Sequence, residues 1–110
     1  MPDGSIDLKA VFETAHAGLA AVLHEAAGDY AFWRTGSRDG DSFDGAIRAM
    51  KRHANMIMRG DDTLSHDQAM MMAVADMNTA DPCERETLRT MFADPELFGE
   101  YLAKLPRPSL

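Results

Sequence analysis

The stretch that decides the fold is Ser65-His66-Asp67-Gln68-Ala69-Met70-Met71-Met72-Ala73-Val74-Ala75-Asp76-Met77-Asn78-Thr79-Ala80. A serine followed three residues later by a glutamine, just ahead of an apolar run, is a capping-box pattern. The serine hydroxyl accepts from a first-turn N–H, and the glutamine side chain returns a bond to the cap. A helix therefore starts here and is expected to run to about Ala80. At roughly 100° per residue, Met70, Ala73, Val74 and Met77 share one face, whereas Met71 with Ala75 and Met72 with Ala69 project elsewhere. A single apolar face cannot hold three consecutive methionines. Either this helix is central and covered on every side, or its second face meets another chain.

Downstream, Asp81-Pro82-Cys83-Glu84 and Asp94-Pro95-Glu96 each place an aspartate cap before a proline in the first turn, where proline sacrifices no hydrogen bond. They predict two short helices, about Pro82 to Phe92 and Pro95 to Lys104. The second should bury Leu97, Phe98, Tyr101, Leu102 and Leu105 on one face. Upstream, a helix is expected from about Phe43 to Arg59, capped by Ser42 or Asp41 and stopped by Gly60, with apolar positions Phe43, Ile47, Met50, Ala54 and Ile57. A polar loop, Thr35 to Asp41, precedes it. Before that loop, Leu8, Phe12, Ala15, Leu19, Val22 and Ala26 repeat at spacings of four and three. They predict one long helix capped by Ser5 and ended or bent at Gly28-Asp29. On its other side, Ala10, Thr14, Ala17, Gly18 and Ala21 would let a second helix approach closely.

Nothing alternates with the period of a strand. The expected fold is all-α: a compact irregular bundle of about five helices, the first long and the last two short. It forms one domain over residues 1–110, with residues 1–5 and 106–110 as flexible termini.

With 110 residues, 45% of them hydrophobic and 26% charged, the chain has the composition of an ordinary globular domain. Its single cysteine permits no internal disulfide and fits a reducing compartment. The amino terminus is acidic where a secretory signal needs basic residues. The longest apolar run, Ala69 to Ala75, is far short of the ~20 residues that span a bilayer. The expectation is a soluble, cytoplasmic protein with no membrane partner.

The net charge of −7 is unevenly spread. Between Arg34 and Arg59 stand six basic residues and three acidic ones, a local +3 that leaves −10 on the remainder. On the wheel of the second helix, Arg48, Lys51, Arg52, Asn55 and Arg59 oppose Ile47, Met50, Ala54 and Ile57. Two readings follow. The stripe is a solvated face whose arginines pair with acidic neighbours in the same domain, each pair contributing under about 1 kcal/mol. Alternatively, it docks an acidic protein partner or a nucleic-acid backbone.

Other chemistry is sparse. Paired catalytic carboxylates, a phosphate-cradling glycine loop and a Gly-x-Ser-x-Gly elbow are absent. Cys83, in a first helical turn, has no histidine at helical spacing to act as base. No enzyme and no cofactor are expected. His66 and Met70, one turn apart, and His53 and Met56, three residues apart, pair imidazole with thioether, a combination suited to copper(I); Asp62 with His66 would suit nickel or zinc. None repeats as a ligand motif, so His66 and Met70 remain weak metal candidates and all four histidines are expected at the surface. The run Asp39 to Gly45 fails as a calcium loop, because Phe43 stands where a ligand is needed. Between Ser65 and Phe92, Asp81-Pro82 replaces the glycine-centred turn of a helix-turn-helix, so sequence-specific DNA binding is not expected.

These observations point to a small non-enzymatic protein that works through its surface: an adaptor, inhibitor or immunity-type regulator, with a homodimer as a further expectation. The residues expected to meet the partner, a protein with an acidic surface, are Arg48, Lys51, Arg52 and Arg59, with Met71 and Met72 as an apolar interface. A metal-binding protein and a nucleic-acid-binding regulator acting through the second helix are the alternatives.

Overall fold

A computed structural model describes residues 12, 14 and 16–105. Five helices follow one another along the described chain: α1 (Ala17–Thr35), α2 (Gly40–Gly60), α3 (His66–Asn78), α4 (Pro82–Ala93) and α5 (Pro95–Lys104). The fold is an all-α bundle, with no strand among the described residues.

At its centre lies α3. Its capping box forms in full: Gln68 N–H donates to the Ser65 hydroxyl at 3.1 Å, and Ser65 N–H donates to Gln68 Oε1 at 2.9 Å. Beyond the cap, Ala69 through Ala73 and Ala75 are all buried. The helix packs against α1, α2 and α4 together. All three methionines are thus covered although they point in different directions, and flexible thioether chains suit that role. Gln68 is buried as well, and its Nε2 donates to the carbonyls of Phe92 at 3.2 Å and Ala93 at 3.1 Å. One side chain therefore closes the start of α3 and satisfies two carbonyls at the end of α4, groups a helix leaves without internal partners.

The long helix expected after Ser5 departs from expectation in two places. It is broken before Ala17: Phe12 is helical, Thr14 and His16 are not, and α1 starts anew at Ala17, where the extended His16 accepts from Leu19 N–H at 3.2 Å through Nδ1. Thr14 is drawn across to α3, its hydroxyl donating to Asp67 Oδ2 at 2.9 Å. These polar contacts interrupt a stripe whose apolar spacing runs on unbroken. Ser5, Leu8, Ala10, Val11 and Ala15, with the termini 1–5 and 106–110, lie outside the described residues. At the other end, the helix continues through Gly28-Asp29. The missing side chain at Gly28 leaves room for Arg38, whose Nη1 would stand 3.4 Å from a Cβ there and which pairs with Asp29 at 2.7 Å. Helix α1 stops at Gly36, which adopts a left-handed φ of 78° and donates to Phe32 O at 2.8 Å. Of the small residues expected to admit a second helix, Thr14 and Gly18 are buried, Ala21 is half-buried and Ala17 is exposed, while the buried small residues Ala20, Ala27, Gly28 and Ala31 belong to a helix that packs on α2 and α3.

Helix α2 starts one turn earlier than expected. Gly40 has a positive φ of 58°, available to glycine without strain, and this turns the chain into the helix before Asp41 and Ser42 can act as caps. It ends at Gly60, as its sequence indicates. Both proline-led helices form where their aspartate caps place them. Asp81 Oδ1 accepts from Cys83 N–H, and Asp94 Oδ1 accepts from Glu96 and Leu97 N–H. Helix α5 makes its main packing contact with α4 alone. It therefore buries Phe98 and half-buries Tyr101, Leu102 and Leu105, while Leu97 remains exposed, contrary to the expected five-residue buried face.

Candidate docking surface

Helix α2 lies on the outside of α3, and its apolar side holds Ala46, Met50 and Ala54 in the core. The opposite side carries Arg48, Arg52, Asn55, Met56 and Arg59, spaced three and four apart and all exposed. Among the described residues, none of these three arginines makes an ion pair. The expected pairing with acidic neighbours of the same domain is therefore absent from what the structure describes. Lys51 sits at the flank of the stripe, half-buried and engaged in an interaction of its own. Met56, 61% exposed, puts an apolar side chain among the arginines. The sequence reading missed Met56 as a surface residue, although its place four residues after Arg52 puts it on the polar face.

Met71 and Met72 belong elsewhere. They are 3% and 6% exposed and enclosed by the helices around α3, with Met72 reaching the surface only in the cleft it shares with His53 and Asp76. They leave the set of docking residues, because a central helix needs apolar side chains all round. Met70 is completely buried, while His66 is half-exposed beside Asp67, so the two do not form an open ligand pair. Among the described residues, no group of three or more histidine, cysteine, aspartate or glutamate side chains is placed to hold a metal ion.

The histidines are less superficial than expected. His16 caps α1. His24 packs its ring on Phe43, with centroids 4.8 Å apart and planes tilted by 53°. His53, on the flank of α2, meets Asp76 of α3 at 2.7 Å, and Arg89 Nε of α4 stands 3.6 Å from the other carboxylate oxygen. At that distance the arginine contact is electrostatic rather than a hydrogen bond, and Nε is buried with no hydrogen-bond partner in the described structure. His53, Asp76 and Arg89 border an open cleft of about 760 Å³ between α2, α3 and α4. Arg85, at the same cleft, is tied to the carbonyls of Thr79 and Ala80. Cys83 is exposed and lines a neighbouring depression with Thr87 and Leu97.

A second exposed feature adjoins the basic stripe. Near the carboxyl end of α1, Trp33 is 73% exposed and Phe32 51%. Arg34 Nη1 donates to the Tyr30 hydroxyl at 2.9 Å, with its guanidinium 5.7 Å from the ring centroid. Arg38 lies similarly over Phe32 at 5.4 Å. A lone tryptophan in a chain this small reads as a core residue by composition. The signal against that reading is local: Trp33 stands three residues before a glycine helix stop and beside a polar loop.

No protein-family model matches the chain, and no similar curated protein or solved structure was found. No described helix is long and apolar enough to cross a membrane.

Proposed function

We propose that this protein is a non-enzymatic regulator that acts by docking an acidic protein partner on the outer face of α2. The observation that carries the reading is the exposure of Arg48, Arg52 and Arg59 along one stripe, with no ion pair from any of them to a described carboxylate. An unneutralised cationic stripe on a molecule of net charge −7 concentrates attraction at one place and repels acidic surfaces elsewhere, which favours one docking orientation. Met56 supplies an apolar contact within it. The acidic remainder of the molecule disfavours a polynucleotide, whose phosphates extend beyond any one patch. The single exposed cysteine suits a cytoplasmic protein.

Fluorescence polarisation with a labelled oligo-glutamate peptide tests the reading. Binding should weaken as salt rises, and the double variant Arg48→Glu/Arg52→Glu should lose about tenfold or more in affinity. Equal binding by wild type and variant, or tighter binding of a single-stranded oligonucleotide than of the peptide, would sink it.

A further inference from the structure

The α2 stripe runs into a groove whose other wall is the carboxyl end of α1, and the chemistry of that groove narrows the partner. Resting on the docking reading above, we infer that the partner inserts a carboxylate side chain into this groove, between Tyr30 and Arg34 of α1 and Arg52 of α2, so that α1 supplies part of the docking surface. The groove, about 350 Å³, is lined by Tyr30 and Arg34 from α1 and by Gly45, Ala49 and Arg52 from α2, with Asp41 the one carboxylate on its wall. Among the described residues, neither arginine makes an ion pair. Asp41 precedes Arg52 by eleven residues, about 16 Å along the helix axis, so the end of the groove at Arg52 is cationic. Arg52 belongs both to this groove and to the exposed stripe, which makes the two surfaces continuous.

The groove is held in shape before anything binds. Thr35 Oγ1 donates to the Ala31 carbonyl at 2.9 Å and lies 2.9 Å from Ser42 Oγ, a hydroxyl pair that ties the end of α1 to the start of α2. Arg34 is fixed by its hydrogen bond to the Tyr30 hydroxyl and its position over that ring. A guanidinium already held in place loses less freedom when a carboxylate arrives. The Tyr30 hydroxyl accepts from Arg34, so its own proton is left to donate. A carboxylate seated here therefore meets a phenol O–H and the remaining N–H groups of two guanidiniums, the charge-assisted donors it binds most strongly. Gly45 leaves room for it. A Cβ at this position would meet no atom within 4 Å, so a side chain added there would extend into the groove rather than into the core.

Three substitutions, read with labelled oligo-glutamate as the probe, separate this inference from the docking reading beneath it. Gly45→Leu changes no charge and replaces glycine with a better helix former, so α2 should persist while the groove is filled, and affinity should fall about tenfold. Arg34→Gln should lose about fivefold, whereas Arg38→Gln, the same charge change at a residue paired with Asp29 outside the groove, should lose less than about twofold. Circular dichroism and thermal melts check the fold of each variant; if Gly45→Leu melts early, the comparison of Arg34→Gln with Arg38→Gln decides alone. Wild-type affinity in folded Gly45→Leu or in Arg34→Gln, or equal losses in Arg34→Gln and Arg38→Gln, overturns the seat. The docking reading then stands as long as Arg48→Glu/Arg52→Glu still weakens binding. No binding of oligo-glutamate by the wild-type protein overturns both, as does tighter binding of oligothymidylate.

Discussion

His53 of α2 and Asp76 of α3 meet at 2.7 Å, and through its second oxygen the same carboxylate faces Arg89 of α4, so one aspartate links three helices. The Asp76 side chain is only 17% exposed, and removing it would leave a buried guanidinium nitrogen with no counter-charge. Asp76→Ala should lower unfolding stability by about 1–3 kcal/mol. His53→Ala, at a more exposed position, should cost less. Urea denaturation with an unchanged midpoint for Asp76→Ala would show that the link contributes nothing.

Gln68 serves two joints, so its replacement should be more damaging than loss of a helix cap alone. Gln68→Ala frees the Ser65 N–H and removes the donor to Phe92 O and Ala93 O, at an expected cost of about 2–3 kcal/mol. Gln68→Glu would aim a carboxylate at two carbonyl oxygens, so the folded state should favour its protonated form. Its folded pKa then lies above the unfolded value of about 4.3. Stability should be fullest below that value and fall as pH rises through the folded pKa. Thermal melts at acidic and neutral pH check the sign.

The methionines provide a comparison of the same chemical change in two surroundings. Met71→Ala and Met72→Ala should each cost about 2–4 kcal/mol through lost burial and the cavity left behind. Met56→Ala, on the exposed stripe, should stay within about 0.5 kcal/mol. Similar losses at all three positions would contradict the central placement of α3.

Trp33, the sole tryptophan, reports the local potential directly. Its emission should resemble that of solvated indole. Relative to a free tryptophan amide, iodide should quench it more efficiently than caesium, because Arg34 is its neighbour in the chain. A molecule governed by its net −7 at this point would show the reverse order.

Tyr101 packs against Phe92 and Phe98, with ring centroids 5.2 and 6.3 Å away, and burial raises the pKa of its phenol. Because the folded pKa exceeds the unfolded one, Tyr101 contributes stability that is complete below pH ~10 and is lost as pH rises through the folded pKa. Phenolate absorbance should show one of the two tyrosines ionising late, and Tyr101→Phe should remove that component while keeping the ring contacts. Asp61 shows the opposite case at the surface: donation from the Thr63 hydroxyl, then from its N–H, lowers its pKa. Its contribution is present above the ordinary carboxylate range and lost as pH falls through the folded value.

Much of the fold is legible because caps are local chemistry. Ser65 with Gln68, Asp81 before Pro82 and Asp94 before Pro95 act over three or four residues, and each helix begins where they indicate. The outward basic face of α2 is equally local, since a 3.6-residue period orients Arg48, Arg52 and Arg59 without reference to any other helix. The Thr14–Asp67 bond that accompanies the break before α1 spans 53 residues and leaves no mark in the apolar spacing. Likewise, spacing alone allowed Met71 and Met72 either an interior or a partner's surface; only the packing of α1, α2 and α4 around α3 selected the interior. The same holds for the groove shared by Arg34 and Arg52 and for the triad at Asp76. By itself the sequence determined where most helices begin, that they form an all-α bundle and which face of α2 is charged. Which helix is central, which side chains it covers and which cations converge were decided by the tertiary structure, because these depend on contacts between segments that local hydrogen bonding and periodicity do not relate.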